Sequence, residues 1–248
     1  MDRRSPGKLL QGWLHDLLHG LLHTVLPSSC ALCGGRANEA VCAACEAAYV
    51  RARPRCPCCA NPAGALDAGQ RCGACLAQAP AYDATLAACD YALPLDSLVL
   101  QLKFGAQLAL APWMGRVLGD VLRTAPALPD VLCPVPLGPR RLVERGFNQA
   151  LEVARPLSKA LGVPLAPRLL VRVRDTLAQS GIEPGARRRN VRGAFGLADG
   201  ADVSGRHVGV VDDVMSSGHT LDDIASTLKR AGAARVTNIV FARTPPHA

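Results

Sequence analysis

The run Val208-Gly-Val-Val-Asp-Asp-Val-Met-Ser-Ser-Gly-His-Thr220, followed by Leu221-Asp-Asp-Ile-Ala-Ser-Thr-Leu-Lys229, leaves few folds open to this chain. An apolar, β-branched stretch reaches two acids, and a loop of small residues then opens a helical pattern. A strand–loop–helix of this kind turns bare backbone N–H groups and a helix N-terminus toward one point, an arrangement suited to phosphate. Asp212 and Asp213 fall at the carboxyl end of the strand, where open α/β sheets bind their ligands. Phosphate donors beside two carboxylates that accept from hydroxyls outline a ribose phosphate.

The same run excludes two commoner phosphate binders. It has no Gly-x-Gly-x-x-Gly and no Gly-Lys-Ser/Thr, so neither a dinucleotide fingerprint nor a P-loop fits. It resembles instead the phosphoribosyl-pyrophosphate (PRPP) motif of type I phosphoribosyltransferases: branched apolar residues, two acids, then Thr/Ser-Thr/Ser-Gly-x-Thr. Ser216 and Ser217 stand where threonine is more usual and keep the hydroxyl.

The front of the chain poses a different problem. Eight of the 11 cysteines form four Cys-x-x-Cys pairs: Cys30/Cys33, Cys42/Cys45, Cys56/Cys59 and Cys72/Cys75. Two pairs 8 residues apart, then two pairs 12 apart, read as two successive zinc ribbons, in which two knuckles complete one tetrahedron. Large apolar residues are scarce from Cys30 to Cys75, so metal binding has to fold this segment. The spacing admits one or two Zn2+ ions. A disulfide framework is the competing reading; without a secretory signal, reduced thiols in a cytoplasmic protein are expected. Cys58 falls outside the pairing, and Cys89 and Cys133 lie in apolar runs as small buried hydrophobes.

Ahead of the cysteines, apolar residues at 9, 10, 13, 14, 17, 18, 21, 22, 25 and 26 make one helical stripe. It suits docking on the protein's own core, or peripheral contact with a membrane surface or a partner. His15, His19 and His23 share the opposite face, which reads as solvated. No segment is apolar for long enough to predict a transmembrane span. The formal charge of +8 is concentrated: residues 137–192 hold 12 Lys/Arg against 4 Asp/Glu, while the rest of the chain has 16 of each. That excess implies a polyanionic partner, either PRPP or a nucleic acid.

Strand patterns at Leu86–Tyr91, Val131–Val135, Leu169–Val173 and Val236–Phe241 alternate with helical ones at Leu95–Phe104, Ala109–Arg123 and Asn148–Leu161. The last of these contains Pro156, which predicts a kink, and ends at Gly162. Ser180–Asn190 reads as an exposed basic loop. Alternation of this kind predicts an α/β domain, a parallel sheet flanked by helices, behind the cysteine-rich double zinc ribbon. The expected boundaries are an amphipathic helix over 1–28, the double ribbon over 29–80 and the α/β domain over 81–248.

Four further blocks narrow the resemblance. Leu102-Lys-Phe-Gly105, Pro134-Val-Pro-Leu-Gly-Pro-Arg-Arg-Leu-Val-Glu-Arg-Gly-Phe-Asn-Gln149, Arg174-Asp-Thr-Leu-Ala-Gln179 and Arg188-Arg-Asn-Val-Arg-Gly-Ala-Phe195 are similar to the ComF/GntX family of competence-associated, phosphoribosyltransferase-like proteins. The resemblance covers nearly the whole chain in the family's order. It implies Mg2+-dependent transfer from PRPP, or a nucleic-acid-binding role in DNA uptake with single-stranded DNA or competence proteins as partners. It implies that Met215, Ser216, Ser217, Gly218, His219 and Thr220 hold the 5′-phosphate, and that Asp212 and Asp213 accept from the ribose hydroxyls. Val135, in the Pro134–Leu137 turn, would face the pyrophosphate, with Arg140, Arg141 and Arg145 offsetting its charge. Thr176–Asn190 would be a flap that brings Gln179, Arg187 and Arg188 over the site. Lys103 either reaches the site or lies along the surface, and Asn148 suits a helix N-cap.

Overall fold

The computed structural model describes residues 28–173 and 193–245. The N-terminal stripe and histidines, the flap, and with it Gln179, Arg187 and Arg188, lie outside the described residues. The chain divides into two compact units, residues 1–48 and 49–248, so the two cysteine tetrads fall in different units.

In the smaller unit, β1 (Ser28–Ser29) and β2 (Arg36–Ala37) pair antiparallel around the first knuckle, and α1 (Ala43–Tyr49) starts at the second. Gly34 takes φ +72° to close the first knuckle's turn, a backbone region that suits glycine.

The larger unit is built on four parallel strands in the order β3-β8-β7-β4, with β3 Ala84–Asp90, β4 Val131–Pro134, β7 His207–Met215 and β8 Arg235–Arg243. Side chains alternate across a strand. Val208 and Val210 of β7 join Val236 and Val240 of β8 in one buried cluster with Leu221, Ile224, Ala225 and Leu228. Those four belong to α7 (His219–Arg230). The opposite face carries α4 (Leu110–Arg123) and α6 (Gln149–Leu161), and Trp113 meets Phe241 edge-to-face at 5.5 Å. These two helices pack closely because Gly115 faces Pro156: a β-carbon there would sit 2.7 Å from the proline ring. Helices on both faces of a parallel sheet are what the alternating pattern predicts.

Among the described residues the predicted strands and helices are present with ends shifted by a few residues. Leu95–Phe104 is α3 as expected. Asn148 caps α6, its Oδ1 accepting from the Ala150 amide at 3.0 Å, and Gly162 ends that helix at φ +69°. Three pieces escape the periodicity. The α2 turn (Gly73–Ala77) and α5 (Pro139–Arg145) are short, and β6 (Phe195–Leu197) pairs antiparallel with β5 (Leu170–Arg172) apart from the main sheet. Cys89 and Cys133 are buried within strands, as expected of small hydrophobes.

The second tetrad is part of this unit's core. Cys56, Cys58, Cys59 and Cys75 pack in the same apolar cluster as α7 and the sheet, together with Tyr82. Arg55 Nη2 pairs with Asp90 Oδ1 at 2.8 Å, at the carboxyl end of β3. Each outer strand is hydrogen-bonded at one residue on its free side. The Thr85 amide of β3 donates to Pro57 O at 3.2 Å; on β4 the Leu132 amide donates to Pro164 O, and Leu132 O accepts from Ala166, both at 2.8 Å.

Candidate functional site

The carboxyl ends of β4 and β7 open on a cavity of about 210 Å3. Three segments line it: Val135–Leu137 after β4, Asp212–Leu221 through the end of β7 into α7, and Arg172 of β5, with Lys103, Arg141 and Gln149 between them. The structure thus brings together Val135, Asp212, Asp213, Met215, Ser216, Ser217, Gly218, His219 and Thr220. Gly218 is the α7 N-cap at φ +81°, and a β-carbon there would strike the Met215 methyl at 2.6 Å. The loop therefore needs glycine for its backbone, and a larger residue would also displace the Met215 methyl. Ser217 Oγ and His219 Nδ1 lie 3.2 Å apart.

Two predicted arginines are not part of the lining. On α5, Arg141 and Arg145 share the inner face at i,i+4 spacing, while Arg140 points outward and is exposed. Arg145 is held behind the wall. Its Nη1 donates to Gln149 Oε1 at 2.5 Å, and its guanidinium lies 5.3 Å over the Phe104 ring.

The two adjacent acids both line the cavity but have different partners. Asp213 turns to the α3 and α6 side and is buried. Lys103 Nζ meets its Oδ2 at 2.5 Å, and Gln149 Nε2 donates to its Oδ1 at 3.3 Å. Asp212 is half-buried in the cavity wall, and its Oδ1 accepts the Asp213 amide at 2.9 Å. Burial drives both carboxyls up. With the Asp213 charge beside it, Asp212 rises well above the ordinary carboxylate range. For Asp213, the Lys103 ammonium overrides burial and holds the group below that range.

Lys103 and Gln149 were legible only as members of sequence blocks, and no local pattern predicts that both meet Asp213. Asp223 does comparable work on α7: its carboxylate accepts from the Gly193 and Ala194 amides at 2.8 and 3.1 Å, pinning the chain where it returns to β6.

Each cysteine tetrad gathers its four sulfurs within 4.8 Å of one another. Cys59 and Cys72 Sγ are 3.6 Å apart, and Cys33 and Cys42 Sγ 3.8 Å. Those separations are far too long for disulfides at about 2.05 Å, and match the edge of a tetrahedron with Zn–S bonds of about 2.3 Å. In both tetrads the first cysteine accepts a backbone N–H from the third, Cys42 to Cys30 and Cys72 to Cys56, each at 3.3 Å. Burial opposes ionisation of these two thiols, but the N–H donors prevail and draw Cys30 down to about 6 and Cys56 to about 7. Amides aimed at sulfur suit thiolate ligands, so two four-cysteine sites fit structural Zn2+.

Among the described residues, no helix is long and apolar enough to cross a membrane. A double zinc ribbon domain matches residues 21–76, and a phosphoribosyl transferase domain matches residues 148–247. DNA utilization protein YhgH of Escherichia coli O157:H7 is 36% identical over 227 residues, which is 88% of this chain and 98% of that protein. Competence protein F of Haemophilus influenzae is 32% identical over 163 residues, 63% of this chain and 71% of that one. Among solved structures, glutamine PRPP amidotransferase from B. subtilis aligns at 24% identity with a TM-score of 0.36, over 52% of this chain and 25% of that chain. The chain belongs to the family of DNA utilization protein YhgH and competence protein F, with a double zinc ribbon ahead of a phosphoribosyltransferase domain.

Proposed function

We propose that this protein binds PRPP and transfers its phosphoribosyl group to an acceptor with release of pyrophosphate. One observation carries the reading: a single cavity joins the phosphate loop, an acid pair and the cations Lys103, Arg141 and Arg172. The loop amides and the α7 N-terminus face the 5′-phosphate. Asp212 accepts from a ribose hydroxyl, while Asp213, already paired, fixes Lys103 at the cavity wall. Arg141 and Arg172 balance charge that grows on the departing pyrophosphate, so catalysis rests on positioning and electrostatics. Asp212 would be a carboxylate donor to Mg2+ bound with PRPP, and the ion would supply positive charge to the leaving group.

Calorimetry of the zinc-loaded full chain with PRPP and Mg2+ tests this. Asp212→Asn is expected to weaken binding at least tenfold, about 1.4 kcal/mol. A carboxylate accepts more strongly than a carboxylic acid. Wild-type affinity should therefore rise with pH as Asp212, held above its ordinary range, loses its proton, and the variant should lose that part of the profile. No PRPP binding, or equal binding by the variant, overturns the reading.

The names of the relatives, a DNA utilization protein and a competence protein, favour a second reading, the handling of nucleic acid. The basic stretch supplies the charge for it. Filter binding of single-stranded DNA across a salt series would then give log affinity falling steeply with log salt, about 0.7 per phosphate neutralised. A flat series excludes it.

A further inference from the structure

A second space of about 580 Å3 lies between the second cysteine tetrad and α7, and shares Met215, Ser217, Gly218 and His219 with the first cavity. Arg243 lines it. This residue ends β8 and is 5% exposed. Its Nε donates to Cys59 O at 2.8 Å, and its Nη1 donates to Met215 O at 3.1 Å, Ser216 O at 2.6 Å and the carbonyl of Thr244. One guanidinium thus grips the backbone of a metal-ligating cysteine and the first two carbonyls of the phosphate loop. The Thr244 amide adds a second bond to Met215 O at 3.0 Å.

The consequence comes from peptide geometry. In a trans peptide the C=O and the next N–H point in opposite directions. Holding Met215 O and Ser216 O on the underside aims the Ser216 and Ser217 amides at the substrate cavity. The guanidinium therefore supplies a polar anchor to these carbonyls in addition to the apolar packing of Met215. The rigid fork of arginine serves two carbonyl clusters at once; a lysine ammonium does not hold that geometry.

We infer that Arg243 is a positioning residue that aligns the phosphate-loop amides and ties their alignment to metal occupancy of the second cysteine tetrad. The inference rests on the phosphate-binding reading above. Zinc held by Cys56, Cys59, Cys72 and Cys75 fixes the Cys59 carbonyl, which fixes Arg243, which in turn fixes the loop. By linkage, phosphate in the loop must hold zinc more tightly in that tetrad.

The test uses ribose 5-phosphate and the zinc-loaded full chain. Calorimetry should show Arg243→Gln binding about tenfold more weakly than wild type, with Arg243→Lys in between, and both keeping wild-type zinc content. Zinc capture by a chromophoric chelator should slow several-fold in one kinetic phase of wild type when ribose 5-phosphate is saturating. Cys59→Ser should lack that phase, and Arg243→Gln should keep the phase without the slowing. If Arg243→Gln does not fold, the wild-type chelation series decides alone. Wild type that binds ribose 5-phosphate with unchanged zinc release and no loss in Arg243→Gln overturns the inference. Wild type that binds no ribose 5-phosphate removes the phosphate-site reading itself, a distinguishable failure.

Discussion

Cys59→Ser is expected to halve the zinc content of the purified chain and to lower the stability of its larger unit. Zinc in small modules contributes on the order of 10–16 kcal/mol of folding free energy, comparable with the entire stability of an ordinary domain at about 5–15 kcal/mol. A ribbon with few large side chains has nothing to substitute for it. In this protein the loss should spread, because Cys56, Cys58, Cys59 and Cys75 pack in one cluster with Leu221, Ile224 and Val210. Zinc measured by atomic emission, together with thermal melting of the chelated wild type and the variant, checks both parts. A chain that retains its full zinc content and its melting temperature after this substitution contradicts the tetrad assignment.

Lys103→Met should cost about 3 kcal/mol at neutral pH, the lower end of the range for removing one member of a buried ion pair. Asp213, with a side chain 3% exposed, would be left charged without its cation. The pH dependence has a definite sign. Lys103 holds the Asp213 carboxyl below its unfolded value. Wild type therefore gains from the pair above the ordinary carboxylate range, and loses that gain as pH falls through the folded value. The deficit of Lys103→Met should shrink in acid, where Asp213 takes up a proton. Urea unfolding of Lys103→Met, Asp213→Asn and the double variant closes the cycle, and the double variant should recover much of the loss. A deficit below about 0.5 kcal/mol, the ordinary scatter of surface substitutions, would show that the pair is not structural.

The range of the forces involved decides which features could be read along the chain. The Val208–Thr220 run announces a strand, a turn and a helix start because each depends on neighbouring residues. The same holds for the cysteine knuckles and for Asn148 as a cap. Lys103 and Asp213 are 110 positions apart, and Arg243 is 184 from Cys59. No periodicity connects such pairs; only the closed sheet does. An arginine ending the apolar run Val236–Phe241 was the one available hint that a buried cation stood near the loop. The α5 helix hid for the opposite reason: it buries no residue, so no apolar stripe marks it. Residues 137–192 carry the excess positive charge, yet composition could not say that Arg141 turns inward and Arg140 outward.

The contacts on both outer strands bear on how copies of this protein meet. A bare strand edge is a template on which a second chain can add and keep adding. Pro57 lies along one edge here, and Pro164 and Ala166 along the other. Extension of this sheet must displace those contacts on either side, so concentrated solutions should resist fibril growth while the second ribbon half remains in place. Stripping its metal would loosen the contact on β3, and fibrils formed on chelation, in place of amorphous clouding, would report an exposed edge.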